Sequence, residues 1–384
     1  MKTNKWLIGW ALTVLAVLGV LGFLVYRVDP FLHFHKPDTS RYYYTLNNQR
    51  SQNDGIIRQF DYDAMIIGSS MTENFRTSEA GQLFQCRFIK TVFSGGSYKE
   101  INDNIEKALE THPECRMIIR CLDSERFFDN WDDMRTDLGE FPTYLYDDNP
   151  FNDVKYLLNR DVLFGRVFPM IAARREAGFQ PGITSFDDYS STRGKSTGVH
   201  AVCPYGIASN WMEEQEHLTE EDRERIRENI RRNVTDTADA HPDVVFCYFF
   251  PPYSADTWND WGNQGTLYQR LEAEAYVTEL ILPHENIRLF SFNNRTDITT
   301  DLNHYWDSWH YADWINSMIL RWIHDGTGRL TRENVQEYLK QEYEFYTTFD
   351  YESMNGQEDY AVDTDAADLL FASASSVETP QAAH

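Results

Sequence analysis

Ala64-Met65-Ile66-Ile67-Gly68-Ser69-Ser70-Met71-Thr72 is a short apolar run that ends in a glycine and two hydroxyl residues. Four apolar residues bounded by turn formers fit a buried strand, and the Gly-Ser-Ser after them fits a tight turn into a helix. Near the other end of the chain stands Asp307-Ser308-Trp309-His310, which leads into Tyr311-Ala312-Asp313-Trp314-Ile315. Ester cleavage by a serine needs a nucleophile, a base within hydrogen-bond reach, and a carboxylate that orients the base. Here these parts lie far apart in sequence, so only a fold can unite them. An open parallel sheet can do so, because the loops after its strands gather along one edge.

Runs of the same kind recur at 88–93, 117–122, 244–250 and 287–292, and they alternate with helical stretches at 98–109, 219–237, 267–282 and 314–324. The helix at 219–237 opens on Thr219-Glu220-Glu221-Asp222, a start like a capping box, and places Ile226, Ile230 and Val234 on one stripe. Five strands alternating with helices predict an α/β domain, with a five-stranded parallel sheet covered on both faces as a three-layer α/β/α fold. The interval 124–216 breaks this rhythm and reads as an insertion, either seated over the carboxyl edge of the sheet or only packed against the domain.

Residues 6–26 carry no charge and form a helix about 31 Å long, the thickness of a bilayer core. Lys2 and Lys5 precede the run, and Trp6, Trp10 and Tyr26 are placed like interfacial anchors. No small-x-small cleavage site follows it, and no cysteine before Cys86 could carry a lipid. The reading is a retained signal anchor over 1–27, single-pass in the cell membrane, with the rest extracytoplasmic. A connector at 28–62, a domain at 63–345 and a tail at 346–384 would follow. From Asp350 onward the tail holds eight acidic residues and no Lys or Arg, a composition expected to stay disordered.

A net charge of −25 argues against nucleic acid as a partner, since phosphates need a basic surface. The five cysteines read as free thiols, and Cys115 with Cys121 could not bridge along one extended strand. His33 and His35 supply only two ligands, so no metal and no cofactor is expected.

Ser70 is the candidate nucleophile, His310 the base and Asp307 its orienter. A second copy of the pattern, Asp301-Leu302-Asn303-His304, competes with 307/310. The later copy is preferred because His310 adjoins the last amphipathic helix, which would fix it; His304 and Tyr305 are then expected to line the pocket. Ser94-Gly95-Gly96-Ser97 after the second strand supplies glycine N–H groups for an oxyanion hole. Tyr253, with Trp258 and Trp261, would suit the face of a sugar or, as an alternative at least as common for such aromatics, belong to the core.

In this order the motifs resemble the SGNH (GDSL-type) hydrolase superfamily. Gly68-Ser69-Ser70-Met71 is similar to its nucleophile block, Gly95-Gly96 to its second block, and Asp307-Ser308-Trp309-His310 to its final block. Residues 54–63, 144–150 and 152–159 look like those of a membrane-anchored bacterial group within it. The resemblance implies acyl-ester hydrolysis or acyl transfer on O-acyl groups of carbohydrate or on lipid esters, with Ser70 and Gly96 N–H groups holding the oxyanion. It also implies a membrane acyltransferase as partner or, alternatively, a non-catalytic envelope-assembly role. One position departs from the pattern. The third block ends in an asparagine in the family, whereas Cys121-Leu122-Asp123-Ser124 places Asp123 there. An ionised carboxylate would repel an oxyanion, so Asp123 is expected to be turned away, to be protonated or to bind a substrate hydroxyl, each of which counts against efficient hydrolysis.

Overall fold

A computed structural model describes residues 2–190 and 194–361. Strands form at Tyr43–Tyr44 (β1), Ala64–Gly68 (β2), Phe88–Val92 (β3), Met117–Cys121 (β4), Gly182–Ile183 (β5), Val245–Phe250 (β6) and Ile287–Ser291 (β7). Five of them make a parallel sheet in the order β3-β2-β4-β6-β7, while β1 pairs with β5 in a separate two-stranded parallel sheet. The α/β class and the five-stranded parallel sheet are therefore as the alternation of runs implied.

The register sets what meets at the carboxyl edge. Gly68 lies beside Val92, Ile67 beside Arg120, and Cys121 beside Phe249. After β2 the chain crosses to β3 on one side, and after β4 it crosses to β6 on the other. The crevice between the ends of β2 and β4 is thus the switch point, where open α/β sheets place ligands. Ser70 follows one of these strands and Asp123 the other.

Helices of eight residues or more are Lys2–Val28 (α1), Gln49–Gln59 (α2), Thr77–Phe84 (α3), Tyr98–Thr111 (α4), Glu220–Ile230 (α5), Ala255–Asn263 (α6), Leu267–Ile281 (α7), Asp313–Asp325 (α8) and Val335–Thr348 (α9). α4 starts on a complete capping box, in which Ser97 Oγ accepts from Glu100 N–H while the Glu100 carboxylate accepts from Ser97 N–H. α1 is long and apolar enough to cross a membrane.

The chain packs as two compact units instead of the single 63–345 domain expected. One comprises 1–192, 220–249 and 276–289; the other comprises 193–219, 250–275 and 290–384. The second exists because the segments after β6 and β7 bond to each other: Tyr305 Oη donates to Pro252 O at 2.8 Å, and Asn293 Nδ2 donates to both Glu274 oxygens. The expected insertion 124–216 is divided between the two units.

The expected connector and the start of the expected disordered tail are parts of the packed structure. In the 28–62 connector, Tyr42, Tyr44, Leu46, Ile56 and Ile57 are buried, and Asn53 Nδ2 donates to Val92 O at 2.8 Å. Its polar composition misled because Gln52, Asn53 and Asp54 are themselves buried, with backbone and side-chain partners. In the 346–384 tail, Tyr346, Tyr351 and Met354 are buried, and only 362–384 lie outside the described residues.

The strands also hold two buried cations that an apolar reading does not foresee. Arg120 on β4 donates to Asn233 O at 2.6 Å between the rings of Tyr98 and Tyr248. Lys90 on β3 donates to Glu73 O at 2.5 Å and Phe75 O at 2.8 Å, which pins the loop after Ser70. All five cysteines are free thiols.

Candidate active site

Ser70 opens a single 3-10 turn, Ser70–Thr72, directly after β2. Ser69 caps it: its Oγ accepts from Met71 N–H at 3.3 Å, and its carbonyl accepts from Thr72 Oγ1 at 2.8 Å. Gly68 is obligatory here, because a Cβ would come within 2.7 Å of Thr72 Cγ2 and 3.0 Å of Cys121 Cβ. The turn can only form this tightly against β4 if the strand ends without a side chain.

One strand over, Ser94 and Gly95 are held from three directions. Gln49 Oε1 accepts from Ser94 N–H at 2.7 Å, Gln49 Nε2 donates to Ser94 Oγ at 2.9 Å, and Arg135 Nη1 donates to Ser94 O. Gly95 takes a left-handed φ of 61°, and a Cβ on it would run into the Arg135 guanidinium. Gly96 N–H is already committed to Phe93 O at 2.6 Å, whereas Gly95 N–H has no acceptor among the described residues. This shifts the expected oxyanion donor from Gly96 to Gly95. Asp123 is buried at the end of β4, and its carbonyl accepts from Tyr98 Oη at 3.1 Å.

The other unit carries the Asp-x-x-His loop. Both Asp307 oxygens lie 2.9 Å from His310 Nδ1, and Oδ1 also accepts from His310 N–H at 2.7 Å and Trp309 N–H at 2.9 Å. Burial alone would push the Asp307 carboxyl up; the His310 ring and these N–H groups outweigh it and hold the group below its ordinary value of 3.8. A carboxylate that only accepts demands the proton on Nδ1, so the basic lone pair of neutral His310 is on Nε2. The Trp306 indole stacks on the imidazole at 4.4 Å, and Lys195 Nζ sits 3.6 Å from the centre of the indole's face.

The loop is anchored by α6. Ser308 O accepts from Ser254 Oγ at 2.6 Å and Thr257 Oγ1 at 2.5 Å, and Ser308 Oγ donates to Asp256 at 2.9 Å. Tyr305 and Tyr311 bridge antiparallel across its base. The Ser254-x-x-Thr257 start of α6 is legible in sequence as a helix cap, but nothing in it announces Ser308 as the acceptor.

The competing copy is structural. His304 is buried, with Nδ1 at 3.2 Å from Ile298 O and Nε2 facing Asp301 at 3.7 Å, so both ring nitrogens turn to the chain. Burial lowers its pKa against the opposing pull of Asp301. Asp301 in turn accepts from Tyr360 Oη and Asn303. His304, Tyr305 and Tyr253, expected to bind substrate, are all buried. Tyr305 is 0% exposed with its hydroxyl on Pro252 O, and Tyr253 is 2% exposed against Trp261 and Trp309. Trp258 and Trp261 are likewise core, with Trp258 stacked on Tyr346 at 4.0 Å.

Sequence reasoning also missed Gln49 and Arg135, which hold the Ser94-Gly95 turn from segments read as a connector and an insertion. Among the described residues no group of three or more His, Cys, Asp or Glu could hold a metal ion. No family model, no curated protein and no solved structure matches the chain.

Proposed function

We propose that the chain is a membrane-anchored serine esterase or O-acyltransferase of the SGNH type, with a three-layer α/β/α core, acting on O-acyl groups such as acetyl on cell-envelope carbohydrate. The observation that carries this reading is the Asp307–His310 pair. A carboxylate grips the imidazole through Nδ1 and is itself gripped by two backbone N–H groups, which is how a general base is given one tautomer and one orientation.

In the proposed reaction Ser70 Oγ gives its proton to His310 Nε2 and attacks the acyl carbonyl. The N–H groups of Ser70 and Gly95 receive the developing oxyanion. The sugar oxygen leaves with the proton from His310, and water or an acceptor hydroxyl then releases the acyl group from Ser70. Asp307 stays ionised and stabilises the imidazolium. A cleft of 910 Å³ lined by Gln49, Ser94, Glu140, Tyr144, Asp161 and Tyr189 supports a hydroxyl-rich ligand, since its walls offer polar groups beside aromatic rings. α1 anchors the protein with the rest outside, next to a membrane acyltransferase that would supply or accept the acyl group.

A fluorophosphonate probe tests the reading directly. Full-length protein should be labelled at Ser70, and Ser70→Ala or His310→Ala should abolish the label. Asp123, in the place where the superfamily has an amide, favours a second reading, in which the chain binds or assembles an envelope polymer without catalysis. Unlabelled wild-type protein that still binds polymer would leave that reading standing.

A further inference from the structure

The short helices at 154–173 combine features that the proposed chemistry does not use. Val154–Leu157, Arg160–Val162, a π-turn at Leu163–Val167 and Phe168–Ala173 follow one another almost without a break. Their inner side is filled by Tyr156, Val162, Leu163 and Val167, all buried. The outer side also carries large apolar side chains among charged ones: Phe151, just before the first helix, is 89% exposed, Phe164 65% and Val154 51%, and the Phe164 and Phe168 rings lie 5.2 Å apart. Large apolar side chains left uncovered next to a buried face are the mark of an interaction surface.

The location identifies its partner. The segment packs against the carboxyl end of α1, where Val25 and Val28 are buried. A Cβ on Gly22 would lie 3.8 Å from both Leu157 and Leu158. Gly22 is six residues inside the apolar span that ends at Val28, which is about 9 Å along the helix axis. Any bilayer that contains α1 therefore reaches these residues at its headgroup–acyl boundary. Charge agrees with the position. Residues 154–176 hold five basic side chains, Lys155, Arg160, Arg166, Arg174 and Arg175, against the two acids Asp161 and Glu176, in a chain whose net charge is −25.

The attachment is rigid. Asp29 (φ 46°) and Leu32 (φ 62°) turn the chain sharply below α1. The Asp29 carboxylate accepts from the N–H groups of His33, Phe34 and His35 and from Tyr156 Oη, all between 2.7 and 3.1 Å. His33 Nε2 meets Asp153 at 3.0 Å, and Tyr44 Oη donates to Val28 O at 2.8 Å. The segment and the base of α1 are thus one body, so the depth of α1 fixes the depth of Phe164.

We propose that residues 151–175 form a membrane-surface platform, with Phe151, Val154, Phe164 and Phe168 in the acyl boundary and the basic residues on anionic lipid headgroups. The proposal rests on reading α1 as a membrane span, and it adds that this part of the chain is seated in one leaflet. It goes beyond anchoring, because a seated base holds the attached unit at a fixed height and tilt, whereas a flexible stalk would not.

The test uses the full chain with Cys86→Ser and Cys203→Ser, so that spin labels enter only at a chosen cysteine, in nanodiscs of zwitterionic and anionic phospholipid. Labels are placed at Phe164→Cys, at Ala16→Cys inside α1, and at Glu224→Cys on exposed α5 as a water reference. At 164, collisions with oxygen should exceed those with a nickel chelate, at a depth of roughly 5–10 Å below the phosphates. Position 16 should read the hydrocarbon centre and position 224 water. Arg174→Glu with Arg175→Glu should make position 164 shallower, as should omission of anionic lipid. Water-like collisions at 164 with position 16 in the core would overturn the platform alone; water-like collisions at both would overturn the anchor with it. Dipolar broadening between labels at 164 in discs holding two copies, with water-like collisions in discs holding one, would assign the face to a second copy and also refute the proposal.

Discussion

His310 depends on Asp307 twice, through its ring and through its backbone N–H. Asp307→Asn keeps the shape and the backbone contacts but offers an amide hydrogen to Nδ1, which drives the imidazole to the other tautomer. Fluorophosphonate labelling of Ser70 should then slow by about 10³–10⁴-fold with little change in the melting temperature. Because the Asp307 carboxyl is held below 3.8, its support for the loop is complete above that pH and is lost only as pH falls through the lower value. Asp123 has the opposite expected sign. Asp123→Asn replaces a charge with a neutral donor of the same shape, so model acetyl-ester hydrolysis should rise by as much as about 10²–10³-fold. Ser70→Ala in that background should remove the gain. Slower hydrolysis by the Asp123→Asn variant would show that the carboxylate has its own task, most simply holding a substrate hydroxyl.

α7 and α9 meet through two carboxyls, Glu274 and Glu342, each less than 3% exposed. Asn293 Nδ2 donates to Glu274 at 2.9 and 3.0 Å, and Tyr338 Oη bonds Ser291 Oγ beside it, but no cation is among the groups that set either carboxyl's pKa. Burial is the first cause of a raised pKa for both; the neighbouring acid adds to it for Glu274, and Glu342 reaches about 7. The folded state therefore binds a proton that the unfolded chain releases near 4.5. Stability should fall as pH rises from 4.5 towards 7 and level off above the folded pKa. Glu342→Gln, a neutral residue of equal size, should flatten that slope and raise the melting temperature at pH 8. An unchanged slope in the variant would show that other groups set it.

Across the whole molecule, the base of α1 is part of the packed structure. A chain lacking 1–27 loses Val25, which is fully buried and whose carbonyl accepts Asp29 N–H at 2.7 Å. Burying a side chain of this kind contributes about 1.5–3 kcal/mol, so that truncation should melt several degrees below one lacking only 1–21. Detergent-solubilised full-length protein and the two truncations, compared by circular dichroism, give the measurement. Equal melting of both truncations would place the stabilising contacts entirely after Val28.

The five strands of the larger sheet, α4, α8 and the apolar span of α1 are local patterns, and the sequence alone determined them. An apolar run between turn formers or a Ser-x-x-Glu start carries its own physics. The turns at Ser70 and Gly95 and the Asp307–His310 contact were legible for the same reason: each is a few residues of distinctive chemistry at the end of an element. What only the tertiary structure decided involves partners distant in sequence. Gln49 and Arg135 become supports of the Ser94-Gly95 turn because α2 and the segment after β4 fold back on it. Gly96 is spent on a turn, and His304 and Tyr253 disappear into packing, because burial depends on what arrives from elsewhere in the chain. The polar stretches at 28–62 and 346–384 looked like a connector and a disordered tail, since composition records what a residue is and not whether its hydrogen bonds are met. Buried Gln52, Asp54 and Glu342 could only be placed once the groups around them were in position.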